Sequence, residues 1–452
     1  MIVLLLACAK EEPAAVDPGD SADTAVVAAA SPALVFAGDH PQNLLVLSLD
    51  TTRRDRIGLY SGRDTTPNLD AVFGRGVVLD DHRSCANWTA PSMLCAMTGR
   101  SPLDDDFWPS AIYDELADLR IPVTPSKLPT LATLLAQRGY AAGLVTANTV
   151  FSPLNSEAMV EGYYEINVEA WGGAAGVVAD GLPMLARLAG SGPWFGHLHF
   201  IDPHTPYTAP REYNTGLADL DPDGEFPWDV TDNAQASALI AAWPSLTPEM
   251  QELARQLLLA VYDGELRYWD AQFGALWQEL DAGGYLDDTL VVVFADHGEQ
   301  LGEHQDFHHG QSLHPEETRV PAAFWARNLV SGRWAGPTMH QDLAPTILAA
   351  LASEPNDEHL GAVVGLGADT RNRFAFCYLP GYCETGMSLV LGPYQLTYEW
   401  SGKRSFYDLA ADPEAHEDRW DASDPIASAL WMELQPEVVA VEARWPFLAA
   451  EL

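Results

Sequence analysis

The sequence predicts an α/β fold: a mixed or parallel sheet sandwiched by helices, with a small antiparallel subdomain at its C-terminal end. Three observations carry this. From about residue 41, short β-rich runs alternate with helical patterns. The helical stretches repeat apolar residues at three- and four-residue steps. From about residue 366 the pattern changes to alternating runs separated by Gly and Pro turns and followed by a helical tail.

The expected strands are NLLVLSL (43–49), AAGLVT (141–146), WFGHLHF (194–200) and TLVVVFA (289–295), each a compact run bounded by turn residues. The clearest helix is EMQELARQLLLAVYDGELRYWDAQFGALWQEL. In it Leu253, Leu257, Val261, Trp269, Phe273, Leu276 and Leu280 form a core stripe. Tyr262, Glu265 and Asp270 on the same helix read as helix surface or a local polar network rather than as chemistry. The C-terminal runs FAFCYL, GMSLVLG and YQLTYEW form the antiparallel part.

At 452 residues and 47% hydrophobic content, the chain is long enough for one large domain with a small appendage. A formal net charge of -40, from 64 acidic against 24 basic side chains, argues against nucleic acid and against an anionic membrane surface as partners. The run Ile2 to Ala7 before Cys8 looks like a short export segment ending in a lipoprotein cleavage box, with Cys8 the lipidated residue. Residues 9–40, rich in Ala, Asp, Glu and Pro, read as a flexible tether. The expected organisation is therefore 1–8 signal, 9–40 tether, 41–365 catalytic domain and 366–452 C-terminal α+β subdomain. The expected location is extracytoplasmic, a bacterial periplasm or cell envelope, with the membrane met through the lipid anchor. Cys85 with Cys95 and Cys377 with Cys383 could pair locally in an oxidising compartment, or remain free thiols.

Ligands of open α/β sheets bind outside the carboxyl ends of the strands. Here the first strand runs into Asp50, the third into Asp202 and His204, and the fourth into Asp296 and His297. Taken singly, each such Asp is a turn or helix-capping residue. Recurrence at three strand ends points to a metal site, since Asp with His suits Zn²⁺, Mn²⁺ or Ca²⁺ according to the oxygen fraction. In NWTAPSMLCAMTGRSP, Thr89 reads as the cap of a helix with Pro91 in its first turn. A threonine hydroxyl there is either a plain N-cap or a nucleophile activated by a cation. The run DHGEQLGEHQDFHHGQSLHPEETRVP holds five histidines, His297, His304, His308, His309 and His314, of which one or two are expected to act.

LLVLSLDTTRRDRIGLY followed by TTPNLDAV, then WFGHLHFIDPHTPY, then YDGELRYWDAQFGALWQELDAGGYLDDTLVVVFADHGEQLGEH, with VPAAFW, QDLAPTILAAL and YDLAADPEAHED in the same order, resemble the sulfatase family of the alkaline phosphatase superfamily over most of residues 41–425. The resemblance implies an alkaline phosphatase-like fold and a metal held by Asp50, Asp296 and His297. It also implies Thr89 at the nucleophile, and His204 and His309 on the ester group or leaving oxygen. The metal is a divalent cation, Ca²⁺ first and Mn²⁺, Mg²⁺ or Zn²⁺ otherwise.

The chain departs from the family pattern at several positions. Where sulfatases carry C/S-x-P-x-R and convert its first residue to formylglycine, this chain has Thr89-Ala90-Pro91-Ser92-Met93, so no formylglycine is expected. Neither Cys85 nor Cys95 has Pro two positions on. The family's lysine is replaced near Ala147 and Asn148, and Thr51 stands where an aspartate often follows the first metal ligand. Three functions compete: a sulfatase-like hydrolase of a small-molecule or glycan sulfate or phosphate ester; a two-metal phosphodiesterase or phosphotransferase, its second metal on Asp202, His204 and His309; and an inactive binding protein.

Overall fold

The computed structural model describes residues 33–102, 129–152, 157–168, 172–353, 361–365, 373–376 and 385–444. The expected signal, Cys8, Cys377 and Cys383 lie outside them. Of the expected tether, residues 33–40 are described and run along the main body. Leu34 is buried, Ala33 donates to the Val364 carbonyl, and Phe36 bridges to Leu329. Among the described residues no helix is long and apolar enough to cross a membrane.

The strands of the main body are β1 (Asn43–Leu49), β2 (Val77–Arg83), β3 (Ala141–Thr146), β4 (Glu165–Asn167), β5 (Trp194–Phe200) and β6 (Thr289–Ala295). They are followed by the short pair β7 (Gln300–Leu301) and β8 (Phe307–His308), then β9 (Ala322–Trp325) and β10 (Gly332–Met339). Eight of them form one sheet in the order β10-β2-β9-β6-β1-β5-β3-β4. Only β9 among these runs antiparallel to its neighbours, so the sheet is mixed but mostly parallel. The four expected strands match β1, β3, β5 and β6 residue for residue. These are central, and β1, β5 and β6 are buried along almost their whole length, which is why they read as continuous apolar runs. Of the strands not foreseen, β2 is partly polar (VVLDDHR), β10 at the sheet edge is broken by Gly and Pro (GRWAGPTM), and β9 is apolar but only four residues long (AAFW).

The long helix spans Pro248–Ala282 and begins at Thr247, whose hydroxyl accepts the Met250 N–H. Leu257, Val261, Trp269, Phe273, Leu276 and Leu280 are buried, and Leu253 packs at the margin of the same cluster. Trp269 is fully enclosed, and its truncation to Ala would cost about 3–5 kcal/mol. The three polar residues on this helix form local networks. Tyr262 donates to the Thr51 carbonyl (2.7 Å) and accepts from the Arg53 N–H (2.9 Å). Glu265 accepts from the Ala209 N–H (2.6 Å), and Asp270 receives the Asn68 and Leu69 N–H groups (3.0 and 2.8 Å).

The C-terminal part is a four-stranded antiparallel sheet, β11 (Arg373–Phe376), β12 (Thr385–Leu391), β13 (Tyr394–Glu399) and β14 (Arg404–Asp408), covered by the helix Pro425–Arg444. Met387, Leu389, Leu396 and Phe406 of the sheet pack against Leu430, Leu434 and Val438 of the helix. The strand RSFYD completes the three runs foreseen from the sequence.

Candidate functional site

Strand β1 is hydrogen-bonded to β5 on one side and β6 on the other, with Leu49 opposite both Phe200 and Ala295. The ladders continue one residue past the strands: Asp50 N–H donates to the Phe200 carbonyl (2.9 Å) and Asp296 N–H to the Leu49 carbonyl (3.0 Å). Asp50 and Asp296 thus leave adjacent strands at one level, and both are fully buried. The turn after Asp50 is held by the Tyr262 hydroxyl, and Thr51 takes a left-handed conformation there (φ 47°) with its N–H on Asp296 Oδ1 (3.2 Å).

His297 Nε2 lies 3.4 Å from Asp50 Oδ1 and 3.6 Å from Asp296 Oδ2. His297 Nδ1 faces the Gly298 carbonyl (2.9 Å), which fixes a proton on Nδ1 and makes Nε2 the nitrogen that a bound cation would take in place of its proton. From the other side His199 Nε2 is 3.6 Å from Asp50 Oδ2. Asp50 Oδ1, Asp296 Oδ2, His297 Nε2 and His199 Nε2 are all buried and have no hydrogen-bond partner. Such a set is costly without a cation to bridge it. Among the described residues, Asp50, His199 and Asp296 also form a group whose ligand atoms lie within 4.8 Å of one another. The residues therefore fit a divalent metal.

The electrostatics agree. Burial and the neighbouring Asp50 carboxylate push Asp296 well above the usual carboxylate range. Burial also opposes ionisation of Asp50, but His204, His199 and His297 outweigh it and hold Asp50 well below that range. His297, although buried, is raised to about 10 by Asp296 and Asp50.

Thr89 opens the helix Thr89–Thr98, which follows β2. It is the first helical residue rather than the cap expected from the sequence. Trp88 occupies the cap with an extended backbone, and its carbonyl accepts the Ser92 N–H. The Thr89 hydroxyl is thus free of the capping bond that would occupy it. Asn148, two residues beyond β3, reaches both this hydroxyl and the Asp50 carboxylate: its Nδ2 is 2.6 Å from Asp50 Oδ2 and 3.5 Å from Thr89 Oγ1.

His204 and His309 are brought together, their rings 5.0 Å apart, and the His309 ring is 4.4 Å from that of His297. Burial and the nearby His297 push His309 down to about 4, against the pull of Glu299 Oε1 at 3.2 Å. Asp202 does not join them. Its carboxylate lies against the start of the helix Gly173–Ala189, where it takes the Ala174 N–H, and burial raises it to about 6. Of the remaining loop histidines, His304 stacks on His314 (3.7 Å) and pairs with Glu316 (3.4 Å). Two groups close to the Asp50 carboxylate were not singled out by sequence reasoning, His199 and, as a donor, Asn148. Cys85 and Cys95 form a disulfide.

The mostly parallel sheet, with buried carboxylates and imidazoles at its carboxyl edge beside a hydroxyl at a helix start, defines an alkaline phosphatase-superfamily fold. Residues 42–353 match the sulfatase family, and the chain belongs to that family. It is 29% identical over 168 residues to a choline-sulfatase of Rhizobium meliloti (strain 1021), covering 36% of this chain and 32% of that protein. To Homo sapiens arylsulfatase A it is 24% identical over 435 residues, covering 83% and 78%. The match to an arylsulfatase of Clostridium perfringens spans 51% of that protein's length. Among solved structures, a protein in complex with its substrate D-glucosamine-2-N,6-O-disulfate superposes with a TM-score of 0.68 at 17% identity, covering 90% of this chain and 98% of that one. The phosphonate monoester hydrolase of Agrobacterium radiobacter superposes with a TM-score of 0.60 at 18% identity, covering 89% and 96%.

Proposed function

We propose that the protein is a metal-dependent hydrolase of a sulfate or phosphate ester that uses Thr89 where sulfatases use formylglycine. The observation that carries this reading is the shared donor. Asn148 Nδ2 lies within reach of both Asp50 Oδ2 and Thr89 Oγ1, so one amide separates the hydroxyl from the Asp50 carboxylate. Asp50, Asp296 and His297 would hold the cation. When bound, it supplies charge neutralisation for the ester oxygens and makes a neighbouring hydroxyl more acidic.

The chain's own residues do the rest. Thr89 Oγ releases its proton to solvent and forms the new bond to phosphorus or sulfur as the ester bond breaks on the opposite side, and water then cleaves the phospho- or sulfo-threonine and restores the hydroxyl. His204 Nδ1 contacts the Thr205 carbonyl, which leaves Nε2 to face the departing oxygen as proton donor. His309, neutral above about pH 4, fits a hydrogen-bonding role toward the ester. One metal is preferred to two, because the metal-competent group among the described residues is Asp50, His199 and Asp296 rather than Asp202, His204 and His309. The Cys85–Cys95 disulfide fits an oxidising, extracytoplasmic compartment, with a lipid anchor at Cys8 as the expected attachment. Small-molecule or glycan sulfates and phosphate or phosphonate esters are the substrate classes to try.

The test is a panel of aryl sulfate, phosphate monoester, phosphonate monoester and phosphodiester substrates, with Zn²⁺, Mn²⁺, Mg²⁺ and Ca²⁺ varied, on wild type, Thr89→Ser and Thr89→Ala. Turnover by wild type, partly kept in Thr89→Ser and lost in Thr89→Ala, is expected. Turnover that survives Thr89→Ala would sink the nucleophile. An inactive wild type across the panel favours the binding-protein reading.

A further inference from the structure

We propose that His199 is a further ligand of the same cation, held in register by Ser48, His197 and Tyr163, and that the resulting mixed nitrogen and oxygen set selects a transition metal over Ca²⁺. This rests on the metal reading above.

His199 lies inside β5 and is fully buried. Its Nε2 has no hydrogen-bond partner, and at 3.6 Å it is too far from Asp50 Oδ2 to be a hydrogen-bond donor to it. That spacing, with the 3.4 and 3.6 Å from His297 Nε2 to the two carboxylates, is close to the separation of about 3.3–3.4 Å between neighbouring ligands in a tetrahedral site with bonds of about 2.0–2.1 Å. The residue after Asp50 brings no carboxylate, because it is Thr51, whose own hydroxyl is buried without a partner. Two carboxylates and two imidazoles suit Zn²⁺ or Mn²⁺, whereas Ca²⁺ takes six to eight oxygens.

The far side of the ring supplies the second argument. Ser48 pairs with His199 across the β1–β5 ladder, and its Oγ is 2.8 Å from both His199 Nδ1 and His197 Nε2; His197 Nδ1 is in turn 2.8 Å from the Tyr163 hydroxyl. The chain has one proton for each link. The three contacts are satisfied in either direction; a cation on His199 Nε2 selects the one in which His199 Nδ1–H donates to Ser48, Ser48 O–H to His197 Nε2, and His197 Nδ1–H to Tyr163. A ligating histidine fixed through its other nitrogen is the usual outer-shell arrangement.

The experiment is X-ray absorption on the Zn²⁺-loaded full chain, with Zn²⁺ and Ca²⁺ affinities measured by chelator competition. Wild type, His199→Ala, His199→Gln, Tyr163→Phe and Thr89→Ala are compared, each checked for an intact melting transition. Two imidazoles per zinc are expected in wild type, Tyr163→Phe and Thr89→Ala, and one in both His199 variants. The His199 variants should lose Zn²⁺ affinity at least about 100-fold, beyond the roughly 10–100-fold typical of an outer-shell partner, which is the range expected for Tyr163→Phe. One imidazole in wild type, or an unchanged zinc affinity in folded His199→Gln, overturns the assignment. A two-imidazole site in a protein that turns over no ester sinks the proposed function alone. A one-imidazole site in an enzyme that needs its metal and Thr89 sinks only the His199 assignment.

Discussion

Asn148 donates through Nδ2 to Asp50 Oδ2 over 2.6 Å, and its orientation is not free to reverse, because Oδ1 accepts the Val150 N–H at 2.9 Å. The amide is therefore a fixed donor between the Asp50 carboxylate and the Thr89 hydroxyl. A hydrogen bond to a charged group contributes about 1.5–3 kcal/mol. Asn148→Ala should accordingly lower kcat by roughly 10- to 150-fold with KM little changed. Asn148→Asp replaces the donor with a third carboxylate beside Asp50, and should lower kcat further while binding metal more tightly. Steady-state kinetics together with metal content per chain measure both; an unaltered kcat in Asn148→Ala would remove the residue from the site.

Thr51 takes a left-handed conformation at φ 47°, which strains a β-branched residue. Its place is enforced from both sides, by the Tyr262 hydroxyl on its carbonyl (2.7 Å) and by Asp296 Oδ1 on its N–H (3.2 Å). Asp tolerates that conformation better than Thr does. Thr51→Asp should therefore fold at least as stably once metal is present, and the added carboxylate should raise Ca²⁺ affinity about tenfold or more relative to Zn²⁺. Chelator competition with both ions reads the ratio. A variant with unchanged selectivity would show that this position does not face the cation.

What the sequence made legible, and what it did not, follows from where each group lies along the chain. Asp50, Asp296 and His297 end uniform apolar runs, and parallel strands expose such ends at one edge of the sheet, so linear pattern and three-dimensional convergence coincide. His199 lies inside its run. Because all seven residues of β5 are buried, alternation gave no face to assign it to, and two imidazoles two residues apart in an apolar strand were the available signal. The links that define His199, to Ser48 and through His197 to Tyr163, come from separate segments and are set by strand register. Asp202 follows a strand as Asp50 and Asp296 do, but it accepts the Ala174 N–H at a helix start, a contact that comes from another segment of the chain.

Burial pushes His340 from 6.5 down to about 3, and its Nε2 bonds the Ala295 carbonyl (3.0 Å), one residue before Asp296. The unfolded chain takes up a proton below pH 6.5 that the folded protein refuses. The contribution of this histidine is thus complete above pH 6.5 and is lost progressively as pH falls toward 3. At pH 5 the loss is about 2 kcal/mol. His314, pushed down to about 3 by burial and by His304, acts with the same sign. His340→Gln keeps a donor for the carbonyl but does not titrate. Urea unfolding at pH 7 and pH 5 should show a pH-dependent loss smaller by about 2 kcal/mol in the variant than in wild type. Equal losses would mean that His340 is already protonated in the folded protein.

Glu317 joins the two loops that present Thr89 and His309. Its Oε2 accepts from Asn87 Nδ2 (3.0 Å), two residues before Thr89, and from the Gly310 N–H (2.9 Å), next to His309. Its Oε1 accepts from Gln300 Nε2 (3.0 Å) and from the Ser312 N–H and hydroxyl (3.1 and 2.6 Å). A buried acceptor with five donors admits no amide, because an NH₂ group at either oxygen position would face donors. Glu317→Gln should therefore cost about 1–3 kcal/mol for the donors left unpaired. The loop bearing His309 would loosen while Asp50 and Asp296, which leave β1 and β6, stay in place. Turnover should fall, with metal affinity held near that of wild type. Parallel loss of metal affinity and turnover would instead mean that the two loops and the metal site fold as one unit.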